Sequence, residues 1–146
     1  MSKKTLYKLT VQSPQKMRYL TSGDYYKIKG GWEIVTADLK NPDYNFLGLF
    51  HELIELYLTQ RRKMSEPRIK KFDEWFEKEK AKGRFIKYPS PGYHPKAPYR
   101  REHLFSVKME KLLAKELHIS RRLYWKADDV ALEKVKKGLQ KRGIRY

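Results

Sequence analysis

Apolar and polar positions along this chain change their spacing part-way through, from a period of two to a period near 3.6. Leu6-Tyr7-Lys8-Leu9-Thr10-Val11 alternates in the manner of a strand with one buried face, and Ser13-Pro14 ends it. Ser22-Gly23-Asp24 reads as a turn. Tyr25 to Ile28 and Trp32 to Ala37 are aromatic and β-branched runs on either side of Lys29-Gly30-Gly31, which predicts a hairpin. Residues 1 to 40 are therefore expected to form strands.

Asn41-Pro42-Asp43 breaks the alternation and starts a helix expected over Tyr44 to Arg62. A second is predicted from Ser65, where Ser-Glu-Pro supplies a cap and a first-turn proline, to Lys82, with Gly83 as its stop. Arg84 to Pro98 holds four prolines and one glycine and fits neither period, so it reads as a loop, either a lid or a spacer. A third helix is expected over Tyr99 to Leu117 and a fourth, basic one over Ala127 to Lys141. In the fourth, Val130, Val135 and Leu139 make a thin apolar stripe suited to packing at an edge. The order predicts an α+β fold: a small antiparallel sheet at the N-terminus followed by three or four helices. One domain of 146 residues is expected, with strands in 1–40, helices in 44–118 and a basic helix or tail in 121–146.

Two of these helices carry histidine and glutamate at stacking intervals. His51 and Glu55 are four apart, His103 and Glu110 seven apart, so each pair shares a helix face. Leu47, Phe50, Ile54 and Leu58 lie on the stripe of the first pair, which would aim an imidazole and a carboxylate inward. Such groups need a partner. A divalent metal between the helices would satisfy them. His51-Glu52-x-x-Glu55 differs from the metalloprotease signature His-Glu-x-x-His only at its last residue, and a glutamate there keeps a zinc ligand. The expected ligands are His51, Glu55 and His103, with Glu110 as a fourth ligand or as an orienting partner and Asp73 as a further candidate. Glu52 would then serve as general base toward a water at the ion.

Three other readings use the same residues. The His–Glu pairs can be hydrogen-bonded core pairs without any ion. Glu52, Glu55 and Glu110 would suit magnesium in a nucleotide hydrolase, although magnesium prefers oxygen to imidazole. The third comes from charge: 34 Lys and Arg against 17 Asp and Glu give a net +17, which suits nucleic acid. The densest basic stretch is 121–146, with nine cations against three acids. A solvated, lysine-rich surface would look the same, and no nucleic-acid-binding motif is present. Tyr25, Tyr26, Trp32, Trp75 and Phe76 sit in periodic elements and are expected in the core. His94 is expected on an exposed loop and His118 at a helix C-terminus.

The chain has no cysteine, so disulfides and thiolate ligands are excluded and any metal must be held by nitrogen and oxygen. Without an apolar run near 18 residues or a signal-type segment, a cytoplasmic protein with no membrane association is expected.

The ordered set Arg18-Tyr-Leu-Thr-Ser-Gly-Asp-Tyr25, His51-Glu-Leu-Ile-Glu55, Phe72-Asp73, Ala97-Pro98-Tyr99, His103 and Met109-Glu110 resembles an uncharacterised family of small bacterial and phage proteins. Its members look like Arg-Tyr-x-Thr-x-Gly-Asp-Trp, His-Glu-x-x-Glu, Phe-Asp, Ala-Pro-Tyr and a helix with His and Glu seven apart. The resemblance spans Arg18 to Leu117 and implies a shared metal site rather than a known activity. This chain has Tyr25 where Trp is usual and lacks a cysteine that often follows the Glu-rich helix. A more distant similarity to zincins implies a zinc-dependent hydrolase acting on an unknown substrate, with Glu55 standing where a zincin has histidine.

Overall fold

A computed structural model describes residues 3–146. Its strands are β1 (Tyr7–Gln12), β2 (Gly23–Ile28) and β3 (Gly31–Ala37), followed by helices α1 (Pro42–Arg61), α2 (Glu66–Ala81), α3 (Arg100–Glu116) and α4 (Arg121–Lys141). The fold is α+β, a small three-stranded sheet and then four helices. The sheet is mixed rather than wholly antiparallel. Its order is β1-β3-β2, with β3 antiparallel to β2 and parallel to β1. The predicted hairpin explains this: Lys29-Gly30 closes a two-residue turn, Gly30 at φ 82°, so β3 folds back between β2 and the waiting β1. The 13–22 segment gives β1 enough chain to reach β3 in the parallel sense. Ser22-Gly23-Asp24 is no turn, because Gly23 and Asp24 already pair in β2.

Asn41 caps α1 by accepting from the backbone N–H groups of Asp43 and Tyr44, one residue ahead of Pro42 in the first turn. The structure buries Leu47, Leu49, His51, Glu55, Leu56 and Thr59 on α1, whereas Phe50, Ile54 and Leu58 are only half buried. The buried face is thus turned slightly from the expected stripe, yet still contains the His–Glu pair. α2 keeps its predicted bounds, with Gly83 at φ 85° just beyond it.

α4 departs most from expectation. It begins at Arg121, capped by the Ser120 side chain on the Leu123 N–H, six residues ahead of the predicted start. It is no edge element either, since Tyr124, Ala131, Val135 and Leu139 join Met17, Val35, Ala37 and Leu47 in one core cluster. Gly138 lets this helix touch backbone, as a Cβ there would stand 2.6 Å from the Gln15 carbonyl oxygen. A second cluster, built on Tyr25, Ile34, Leu56, Ile69 and Tyr99, fills the other side of α1. Among the aromatics expected inside, Trp75 is 39% exposed, while Phe76 is fully buried. No helix among the described residues is long and apolar enough to cross a membrane.

Candidate metal centre

Helices α1 and α3 meet with their His–Glu pairs crossed. His51 Nδ1 lies 2.8 Å from Glu110 Oε2, and His103 Nδ1 lies 2.9 Å from Glu55 Oε2. The earlier residue of each helix thus faces the later residue of the other, so the two helices run antiparallel. Carboxylates only accept, so each imidazole donates its Nδ1–H and keeps Nε2 for another partner. His51 Nε2 is 3.4 Å from Glu55 Oε2. His103 Nε2 is buried and has no hydrogen-bond partner among the described residues. The two rings stand 5.0 Å apart, and one ligand atom from each of His51, Glu55 and His103 falls within 4.8 Å of the others. All three are more than nine-tenths buried.

The charge of the cluster is self-consistent. Burial opposes ionisation of Glu55, yet hydrogen bonds from His103 and His51 hold its pKa down to about 2. Burial likewise disfavours the His51 imidazolium, but Glu110 and Glu55 outweigh it and raise its pKa well above the usual value. In the metal-free protein the site therefore holds a proton where a cation is wanted. Ligand bonds of about 2.0–2.2 Å in a tetrahedron place donors roughly 3.3–3.6 Å apart, and the His51–Glu55 separation of 3.4 Å matches. His103 Nδ1, 2.9 Å from the same Glu55 oxygen, is the third converging atom. The set fits a divalent ion.

The remaining predicted residues divide by role. Glu110 meets His51 Nδ1 and lies 3.5 Å from the Arg121 guanidinium, the position of an orienting partner. Asp73 is not brought into the donor set. One of its oxygens accepts from Tyr19 at 3.1 Å and the other from Tyr99 at 2.5 Å, so both are occupied by phenols. Glu52 lines the same cavity as His51, Glu55 and His103, on the β2 side. A Cβ on Gly23 would stand 2.2 Å from its Oε1, so the bare glycine makes room for it. Burial, and then the charge of Glu55, raises the Glu52 pKa well above the usual carboxylate range.

Several contributors carried no readable signal as site residues. Tyr25 donates to Glu55 Oε1 at 3.1 Å, so both oxygens of that carboxylate are held. Gly92, in a short 3-10 turn over Pro91–Tyr93, lies flat on His103, where a Cβ would come within 2.2 Å of the ring. The Arg84–Pro98 loop is thus part of the site through this turn. Its glycine was visible, but nothing local says which side chain it meets. Arg18 binds Asp24 at 2.6 and 3.0 Å and also Glu66, tying β2 to α2 beside the cavity. His94 is not exposed; it is 6% accessible, packed among Phe76, Phe85 and Tyr88 and away from the donor set. His118 lies just past α3 at φ 54°, exposed. No family model, curated protein or solved structure matches this chain.

Proposed function

We propose that the protein binds one divalent ion, zinc by the chemistry of its donors, through His51, Glu55 and His103, and uses it as a metal-dependent hydrolase. The convergence of one ligand atom each from His51, Glu55 and His103 within 4.8 Å, all three side chains buried, carries this reading. Two imidazoles and one carboxylate suit zinc better than magnesium, and three protein donors leave a position open.

A bound zinc ion would act as a Lewis acid and lower the pKa of water toward ~7. Glu110 holds the His51 ring in place, and Tyr25 holds the Glu55 carboxylate. Glu52, lining the same cavity, would serve as general base toward a water there. A cavity of about 710 Å³ receives the substrate.

Elemental mass spectrometry on tag-free protein tests the site. One equivalent of zinc, absent from His51→Ala and retained by Glu52→Gln, is the expected result. Zinc in neither the parent nor the reconstituted protein would reduce the pairs to core hydrogen bonds.

A second reading rests on the exposed cations of α4, among them Arg122, Lys126, Lys134, Lys137 and Lys141. A nucleic-acid-binding surface there would show steep salt dependence and no response to chelator.

A further inference from the structure

On the side of α1 away from the metal centre, the β1 edge of the sheet is open. Trp32 N–H donates to the Leu6 carbonyl at 3.0 Å and Asp38 N–H to the Gln12 carbonyl at 2.8 Å, so the even-numbered residues of β1 turn their backbone toward β3. Pairing between these ends is unbroken from Tyr7 to Gln12, which leaves the N–H and C=O groups of Tyr7, Leu9 and Val11 pointing outward. No other backbone among the described residues bonds them. Edge strands are usually protected by a bulge, a proline or a charge on the exposed row. This row has none of these. Lys8 is at an even position, on the other face, where it meets Glu33 at 3.5 Å. The opposite edge is treated differently, since the Tyr25 carbonyl of β2 accepts from Arg18 at 3.3 Å.

Tyr7, Leu9 and Val11 also share the sheet face that packs on α1. They pair with Trp32, Ile34 and Thr36; Ile34 clusters with Leu49 and Leu56 of α1, and a Cβ on Gly48 would stand 2.8 Å from Thr36 Oγ1. α1 lies toward the β2 side, where Glu52 meets Gly23, so β1 extends beyond its cover and Leu9 and Val11 stay 51% and 45% exposed. On the α1 flank that looks toward β1, Phe46, Phe50, Leu53 and Tyr57 recur at helical intervals. Phe46 and Tyr57 are exposed, and the Phe46 and Phe50 rings stack at 6.5 Å. Strand and helix thus form an apolar groove. None of its residues lines the cavity of the metal centre.

A free strand edge beside an apolar helix flank suits an extended segment: the edge supplies main-chain hydrogen bonds and the flank takes alternate side chains. Charge selects which segment. Lys3 and Lys4 precede β1, and Arg61 ends α1 at the same end of the groove, because α1 runs back against β3. All three are exposed, and among the described residues none is in an ion pair. Asp43 lies at the opposite end. A second copy of this chain would bring the same cations and a net charge of +17 to the contact, so self-pairing is opposed and an acidic occupant favoured.

We infer that β1 and this flank of α1 bind an extended, acidic segment of a partner protein. The segment adds to the sheet antiparallel to β1, the more stable pairing sense, with acids near its C-terminus over Lys3, Lys4 and Arg61.

Calorimetric titration of the full chain tests this with a short blocked peptide of alternating valine and threonine that ends in glutamates. Its companions are the same peptide ending in lysines and the same peptide N-methylated on its valines, whose N–H groups would face β1. The acidic peptide is expected to bind about tenfold tighter than the lysine one, and the N-methylated one not measurably. Leu9→Lys should lower the affinity for the acidic peptide by about tenfold or more, while Leu123→Lys, a comparably exposed leucine on α4, leaves it unchanged. Phe46→Ala reads the same groove from the helix side should Leu9→Lys fail to melt cooperatively. Binding of none of the peptides, equal affinity for the acidic and lysine forms, or indifference to N-methylation or to both groove variants overturns the inference. A dimer in sedimentation velocity that Leu9→Lys abolishes would make a second copy the occupant and overturn it as well.

Discussion

Glu110 Oε2 accepts the Nδ1–H of His51 at 2.8 Å across 59 residues of sequence, and this contact fixes which face of the imidazole is left for a ligand. It is the arrangement in which a carboxylate behind a metal-binding histidine sets ring orientation and basicity. Glu55 Oε2 meets His103 Nδ1 at 2.9 Å, so an ion on that oxygen would take His103 through Nδ1 in place of the hydrogen bond.

Glu110→Ala is expected to keep metal stoichiometry near one but weaken affinity by about 10–100-fold, the usual cost of losing such a partner. Competition against a chromophoric chelator reads this directly. An affinity equal to the parent would show that His51 needs no orienting.

Gly92→Ala tests the role of the Pro91–Tyr93 turn. A Cβ would stand 2.2 Å from His103 Cγ, so either the turn lifts or the ring shifts. We expect metal affinity to fall while the unfolding free energy from urea titration drops only modestly, by about 1–2 kcal/mol, because the turn is short and the main core clusters lie elsewhere. Gly83→Ala is the control: a φ of 85° strains it, but no atom lies within 4 Å of its Cβ, so metal binding should be unaffected.

Asp128 gives a pH dependence. Burial, and then the charges of Asp129 and Glu110, raise its pKa from 3.8 to about 6 against the help of Ser22. The folded value lies above the unfolded one, so its contribution is intact below pH 4 and lost as pH climbs through 6. Asp128→Asn should therefore be the more stable protein at pH 7, by about 1–2 kcal/mol, and match the parent near pH 4. Urea midpoints at the two pH values decide it; equal midpoints at pH 7 would mean that the carboxylate ionises freely in the fold.

Leu139→Ala should destabilise the whole protein by about 2–5 kcal/mol, since Leu139 has no exposed surface and sits in the cluster with Met17 and Val35. Val130→Ala on the same helix, 52% exposed, should cost under about 0.5 kcal/mol. Thermal melts of the pair separate a core helix from a peripheral tail.

Much of this was legible along the chain because it is local. The hairpin followed from Gly30 and Gly31, α1 from Asn41-Pro42, and α2 from Ser65 and Gly83. The facing of His51 and Glu55 followed from helical spacing. What failed was equally physical. The first turn of α4, from Arg121 to Lys126, mixes cations with Leu123, Tyr124 and Trp125, and the apolar stripe looked thin. Val130 is indeed exposed, but Val135 and Leu139 are fully buried with Tyr124 and Ala131, and Gly138 lets the helix sit against the Gln15 backbone. His94 looked like a loop histidine because the aromatics that bury it come from α2 and from the loop itself.

The sequence by itself determined the element order, the Asn41 cap of α1, the nitrogen-and-oxygen character of any metal site and the three residues that offer donors. Periodicity, capping and composition act over one or two turns of chain, so they survive without a fold. Only the tertiary structure decided that β1 joins β3 in the parallel sense, that Glu110 meets His51, that Asp73 is taken by Tyr19 and Tyr99, and that ten of the 17 acids line one cavity. Those outcomes depend on which faces meet across gaps of tens of residues, and spacing along one chain carries no information about that.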